Sequence, residues 1–223
     1  MLKILEDMGK NYLKVKPDEI TGVFNLKIEN NFFNIELEKD DVIVNEGLSE
    51  NAFITMKMDR ETWKNLLDKK WNGMTAAGRE SMSQPAPLDF EFSKEKMDSK
   101  TMQKLYHLAM HFFNTSFPTL AKFGPSHTRK IHGGNAVALA YGHGVRSAYY
   151  MISGDDQANS NEKDPWRQCF IIIAGRGVAN IDNKEIDIEK GMAIHVPPNV
   201  IHTFKAKPND TLEFIWIAYG EGA

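Results

Sequence analysis

The sequence predicts an α+β N-terminal domain, a mostly antiparallel sheet covered by helices, followed by an all-β domain. Three observations predict it. Residues 1–115 read as helix, four strands, two helices, strand, helix, and such runs in place of strict alternation indicate α+β architecture. Residues 168–204 (QCFIIIAGRGVANIDNKEIDIEKGMAIHVPPNVIHTF) are short apolar or alternating runs split by Gly, Asn and Asp turns, which marks an antiparallel sheet folding over itself. Between them, Pro118, Gly124 and Pro125 punctuate a linker. The boundaries are therefore 1–115 for the first domain, 116–126 for the linker and 127–223 for the second, and 223 residues suit two small domains.

Taken in order, residues 2–13 place Leu2, Ile4, Leu5, Met8, Tyr12 and Leu13 near one helical face, and Pro17 stops that helix. Phe24, Leu26 and Ile28 then share one face of a strand. After the Asn30-Asn31 turn, Phe33, Ile35 and Leu37 do the same. Val42 to Val44 is a third run, broken by Gly47, and Ala52 to Met58 a fourth. Asp59 caps the next helix, with Glu61 in its first turn where the helix dipole favours it. Trp63, Leu66, Leu67 and Trp71 follow at helical spacing, Gly73 ends the helix, and a short helix covers Met74 to Ala77. Leu88, Phe90 and Phe92 alternate as a fifth strand. From Asp98, Met102, Leu105, Ala109, Phe112 and Phe113 form the stripe of an amphipathic helix. In the second domain Ala136 to Tyr141, Arg146 to Ile152 and Leu212 to Tyr219 are strands, and residues 154–165 a polar loop.

Composition excludes several classes. A net charge of -3 lacks the concentrated basic face a nucleic-acid partner needs. No apolar run reaches the ~18 residues a membrane helix requires, so no membrane insertion is expected. Glu6 and Asp7 stand where a signal peptide would need its apolar stretch, which gives a cytoplasmic expectation. One cysteine, Cys169, rules out an internal disulfide and a cysteine-built zinc site, and reads as a small buried core residue. Gly175-x-Gly177 joins two strands and precedes no helix, so it is no nucleotide fingerprint.

Gly191, Pro197, Asn199 and His202, with Gly175-x-Gly177 and Ile181-Asp182 upstream, fall on motifs of the cupin family, which residues 125–220 resemble. The resemblance implies a double-sheet barrel, pairing of barrels into a homodimer, and a metal held by His202. Where the family usually carries a Glu and two His, this chain has Gln168, Glu162 and Asp164. A cavity lined by two carboxylates, one carboxamide and one imidazole could hold one divalent ion, and so many oxygens suit Mn²⁺, Mg²⁺ or Ca²⁺. The alternative makes Glu162 and Asp164 solvated loop residues and His202 a hydrogen-bonded inner-face histidine. Separately, Gly22 to Phe92 resembles the sterol carrier protein family of lipid-binding domains: the hairpin series Gly22 to Val44, the passage into Asp59 to Leu67, and Ala76-Ala77-Gly78 match. That resemblance implies an apolar tunnel for a fatty-acyl or sterol-like ligand.

Strand alternation puts Gln168, Phe170 and Ile172 on one face, and His202 with Phe204 on another. Phe170, Ile172, Phe204, Trp216 and Tyr150 are thus either a barrel pocket for a small molecule or the core. His107 and His111, four apart on one helix, are a ligand pair or a partly exposed face. His195, inside a strand, reads as a satisfied core histidine. The catalytic residues stay unidentified. The expected function is a two-domain small-molecule or lipid-binding protein: an apolar small molecule or fatty-acyl ligand in the first domain, and a barrel acting as sensor, binding or dimerisation module. The alternative is a metal-dependent cupin enzyme, of oxygenase, isomerase or lyase class, acting on a small organic or acyl substrate.

Overall fold

Asp59, Asn72 and Asp98 each accept a backbone N–H three residues on, from Thr62 (2.7 Å), Thr75 (2.8 Å) and Thr101 (2.7 Å), and so start three helices. The computed structural model describes residues 1–81, 83–92, 98–114, 122–159 and 163–223. They fall into two compact units, one formed by residues 1–78 and 85–121, the other by 79–84 and 122–223. Among them no helix is long and apolar enough to cross a membrane.

The first unit runs α1 (Leu2–Tyr12), β1 (Gly22–Ile28), β2 (Asn31–Leu37), β3 (Val42–Glu46), β4 (Ala52–Met58), α2 (Arg60–Leu67), α3 (Gly73–Ala77), β5 (Leu88–Phe92) and α4 (Ser99–His111). Its sheet has the order β3-β2-β1-β4-β5, antiparallel except for the parallel pair β1–β4. The expected alternation is realised: Phe24, Leu26, Ile28, Phe33, Ile35, Leu37, Ile54, Met56 and Met58 are buried on one face. Helices cover that face with Leu5, Met8 and Tyr12 of α1, Trp63 and Leu66 of α2, and Leu105 and Leu108 of α4. Burying each large apolar side chain contributes about 1.5–3 kcal/mol.

One local expectation fails here. Gly73 does not end α2, which stops at Leu67, because Lys69 takes a left-handed φ of 56° and Asn72 starts a new helix. Gly73 opens α3 and is small for a packing reason: a Cβ there would meet the Ala109 carbonyl oxygen at 2.4 Å. The link from β3 to β4 is a crossover. Residues 47–51 cross the sheet face opposite the helices, and the buried Asn25 side chain holds Ser49 by both backbone groups, accepting from its N–H (2.9 Å) and donating to its carbonyl (3.0 Å).

The second unit has β6 (Arg129–Ile131), β7 (Gly134–Gly142), β8 (Val145–Ser153), β9 (Gln157–Ala158), β10 (Arg167–Ala174), β11 (Arg176–Ile181), β12 (Lys184–Glu189), β13 (Ala193–Val196), β14 (His202–Ala206) and β15 (Thr211–Tyr219). Six form one sheet, β13-β10-β15-β8-β7-β6, and four the other, β12-β11-β14-β9. Phe170, Ile172 and Phe214 from the first share one core with Ala179, Ile188 and Phe204 from the second. The chain passes between sheets at Gly175, where φ is +75° and a Cβ would meet the Thr211 carbonyl oxygen at 1.8 Å.

Cys169 is not a core residue. It sits between buried Gln168 and Phe170, so alternation turns it to the outer face, half-buried. His195 is exposed on the same face of edge strand β13, opposite Cys169. The polar loop 154–165 contributes β9, a two-residue pairing with β14 that is too short to announce itself in sequence.

Candidate functional site

The barrel interior is where the sequence-predicted residues meet. β10 brings in Gln168, Phe170 and Ile172, each 1% exposed, and β14 brings in His202 and Phe204, both 0% exposed. Register across β10 and β15 sets Gln168 opposite Ala218, Phe170 opposite Trp216 and Ile172 opposite Phe214. Phe170 lies 4.2 Å from Phe204 and 5.5 Å from Phe214 between ring centroids, and Tyr150 stacks on Phe214 at 5.3 Å. Of the pocket candidates, Phe170, Ile172, Phe204 and Tyr150 thus belong to the buried interior, and Trp216 packs half-buried against it.

His202 is positioned by both ring nitrogens. Nδ1 is 2.9 Å from the Val200 carbonyl, which only accepts, so Nδ1 carries the proton. In the neutral ring Nε2 is then the acceptor, and it takes an N–H from the Asn159 carboxamide at 3.0 Å. Asn159 follows β9 with a left-handed φ of 58°, a conformation Asn tolerates, and its own N–H donates to the His132 carbonyl. Phe170 meets the imidazole edge-on at 5.5 Å.

Gln168 is spent in the same way. Its Oε1 accepts from the Trp216 indole N–H at 2.6 Å, and its Nε2 donates to Asp164 Oδ2 at 3.0 Å. The backbone of Asp164 is fixed too, accepting from the Asn199 N–H at 2.7 Å. Nearby, the Arg146 guanidinium stands 4.0 Å over the Trp166 ring. Glu162, the remaining expected ligand, lies outside the described residues.

Among the described residues, the donors as placed do not fit a divalent ion. The Nε2 lone pair of His202 and the carboxamide oxygen of Gln168 are both engaged by N–H donors. No three His, Cys, Asp or Glu side chains among the described residues are grouped to hold a metal. The sequence reading missed Asn159 and the Trp216 indole N–H as partners, since Asn159 sits in a polar loop with no motif to mark it. Two shallow grooves lie on the outer side of the four-stranded sheet. One of about 390 Å³ is lined by Gln157, Asn180, Glu185, Thr203 and Lys205, and its neighbour of about 470 Å³ by Arg176, Asp187, Glu189 and Met192.

In the first unit, the His107 and His111 rings lie 4.6 Å apart at a tilt of 46°, but His107 Nδ1 is bonded to the buried Tyr12 hydroxyl at 2.9 Å. Burial, with help from His111 and Lys16, pushes the His107 imidazole down to about 4. Among the described residues no third ligand joins them.

Residues 148–218, in the second unit, match the cupin domain family. Among solved structures, a cupin protein from Bacteroides fragilis is similar at 16% identity, over 36% of this chain and 69% of that one, with a TM-score of 0.34. A cupin-like protein from Thermotoga maritima is similar at 22% identity, over 39% of this chain and 69% of that one, with a TM-score of 0.36. A protein from Photorhabdus luminescens covers 45% of this chain and 87% of its own at 14% identity and a TM-score of 0.41. No curated protein matches the chain.

Proposed function

We propose that this is a binding protein of two modules: the first unit holds a fatty-acyl or sterol-like ligand, and the barrel pairs two copies through the outer face of its six-stranded sheet. The observation that carries the reading is one row of side chains on that outer face. Strand register aligns Ala193, Ile171, Ile215, Tyr149 and Val137 across β13, β10, β15, β8 and β7. Cys169 and Ile217 are apolar neighbours in the next row. An antiparallel sheet with one face in water alternates apolar-in and polar-out, so an apolar outer row calls for a cover. Ala193 and Ile171 are exposed, Ile171 at 39%, and Ile215 is half-buried, whereas Val137 and Tyr149 are already shielded, the Phe123 ring lying 5.6 Å from Tyr149. A second copy supplies a self-complementary cover with the same row.

The ligand half of the reading is supported by the sterol-carrier-like order of elements and by the lining of the first unit. Met8, Met56 and Met58 all belong to its core, and methionine is the side chain best able to reshape around a guest.

The test is light scattering on the untagged protein beside Ile171→Lys and Ile215→Glu. The wild type is expected at twice its 25.3 kDa chain mass and both variants at one chain mass, with unchanged circular dichroism. A monomeric wild type refutes the pairing. For the ligand, solvent extraction with mass spectrometry is expected to release an acyl or sterol-like compound. Its absence, with no saturable uptake of a fluorescent fatty acid, refutes that half.

A further inference from the structure

We infer that the barrel is built to stand without a metal ion, hydrogen bonds at His202 and Gln168 taking over the cross-linking that a cation would provide. The inference follows from which atoms are already committed. The Val200 carbonyl fixes the His202 proton on Nδ1, leaving Nε2 as the only lone pair of the ring. Asn159 Nδ2 occupies that direction at 3.0 Å. A cation would have to sit on the same line at about 2.1 Å, so the amide would first have to leave.

At Gln168 the orientation is settled twice over. The indole N–H of Trp216 only donates, so the carboxamide must turn its oxygen toward it. That leaves the carboxamide nitrogen facing the Asp164 carboxylate, which only accepts when ionised. A cation drawn to the oxygen would have to share it with the indole donor, and one drawn to Asp164 would meet a carboxylate whose Oδ2 already takes the amide N–H. Both pairs thus spend an acceptor on an N–H, and at His202 the N–H takes the only lone pair. The pairs also do mechanical work: His202 ties β14 to the residue after β9, and Gln168 ties β10 to β15 and to Asp164.

The test uses the full chain, purified and dialysed against a chelator, then titrated separately with Mn²⁺, Fe²⁺ and Zn²⁺. The ring nitrogens of His202 and the Trp216 indole N–H are followed by NMR. The expected result is the Nδ1–H tautomer before and after each metal, an unmoved indole signal, and a Tm that the chelator does not change. Asn159→Ala and His202→Ala are each expected to lower Tm equally with and without metal, and the double variant no further than the larger single effect. A stoichiometric metal that shifts the His202 nitrogens and is lost in His202→Ala overturns the inference. Should His202→Ala fail to fold, Asn159→Ala alone decides: a Tm equal to the wild type's in metal-free buffer overturns it as well. Metal that binds without moving either signal sits elsewhere and leaves the inference standing.

Discussion

His107 shows how one side chain records its surroundings. It is bonded to the Tyr12 hydroxyl through Nδ1, lies beside the tilted His111 ring and within the field of Lys16, and burial is the largest of the influences holding its pKa near 4. The unfolded chain, with an ordinary imidazole near 6.5, binds more protons than the folded one between those values. Stability must therefore rise with pH through the window from 4 to 6.5, stand in full above it, and be lost as pH falls. With allowance for partial exposure the contribution is on the order of 2 kcal/mol. Urea unfolding of the wild type and of His107→Gln, followed from pH 4 to 7, checks it, because the difference between them should shrink toward low pH. The sequence offered His107 and His111 as a spaced pair but could not show that Tyr12, from a helix 95 residues away, takes the first of them. The same limit hid Asn159 from His202, whose partner stands 43 residues off in a loop without periodicity.

Among elements, strands were the most legible because their period is two. Alternation alone put Gln168, Phe170 and Ile172 on one face, and they are buried together. It also contained the correction for Cys169, which occupies an odd position in that same series. His195 was misread for want of a neighbour: in an edge strand the outward position meets water, and nothing in the Ile194-His195-Val196 run says which strand is the edge. The end of α2 was lost because a left-handed Lys69 carries no signal of its own. At this scale the centre of the barrel invites a cavity test. Phe204 touches Phe170 and lies 5.3 Å from Phe214, linking the four-stranded sheet to the six-stranded one. Phe204→Ala is expected to cost about 3–5 kcal/mol, read as a lower midpoint in urea at unchanged slope.

For the molecule as a whole, the division into units does not follow a single cut in the chain. Residues 79–84 come from between α3 and β5 yet belong with the barrel unit. There the Arg79 carbonyl accepts the His132 N–H at 3.0 Å, and Glu80 supports the charge of half-buried Arg129. A fragment of residues 122–223 would lack both, and is expected to melt several degrees below the barrel transition of the full chain by calorimetry. Equal melting would show that the excursion contributes nothing. The hook of Asn25 on Ser49 bears on how the first unit comes together in time. As the chain leaves the ribosome, β1 to β3 can pair locally, and a five-residue link after β3 is short enough to let β4 simply turn back against it. Two open edges would then compete for β4, and the wrong one is nearer. Held by Asn25 in mid-crossing, Ser49 marks the route that carries β4 to the far side of β1, whose second edge is thereby closed to a neighbouring chain.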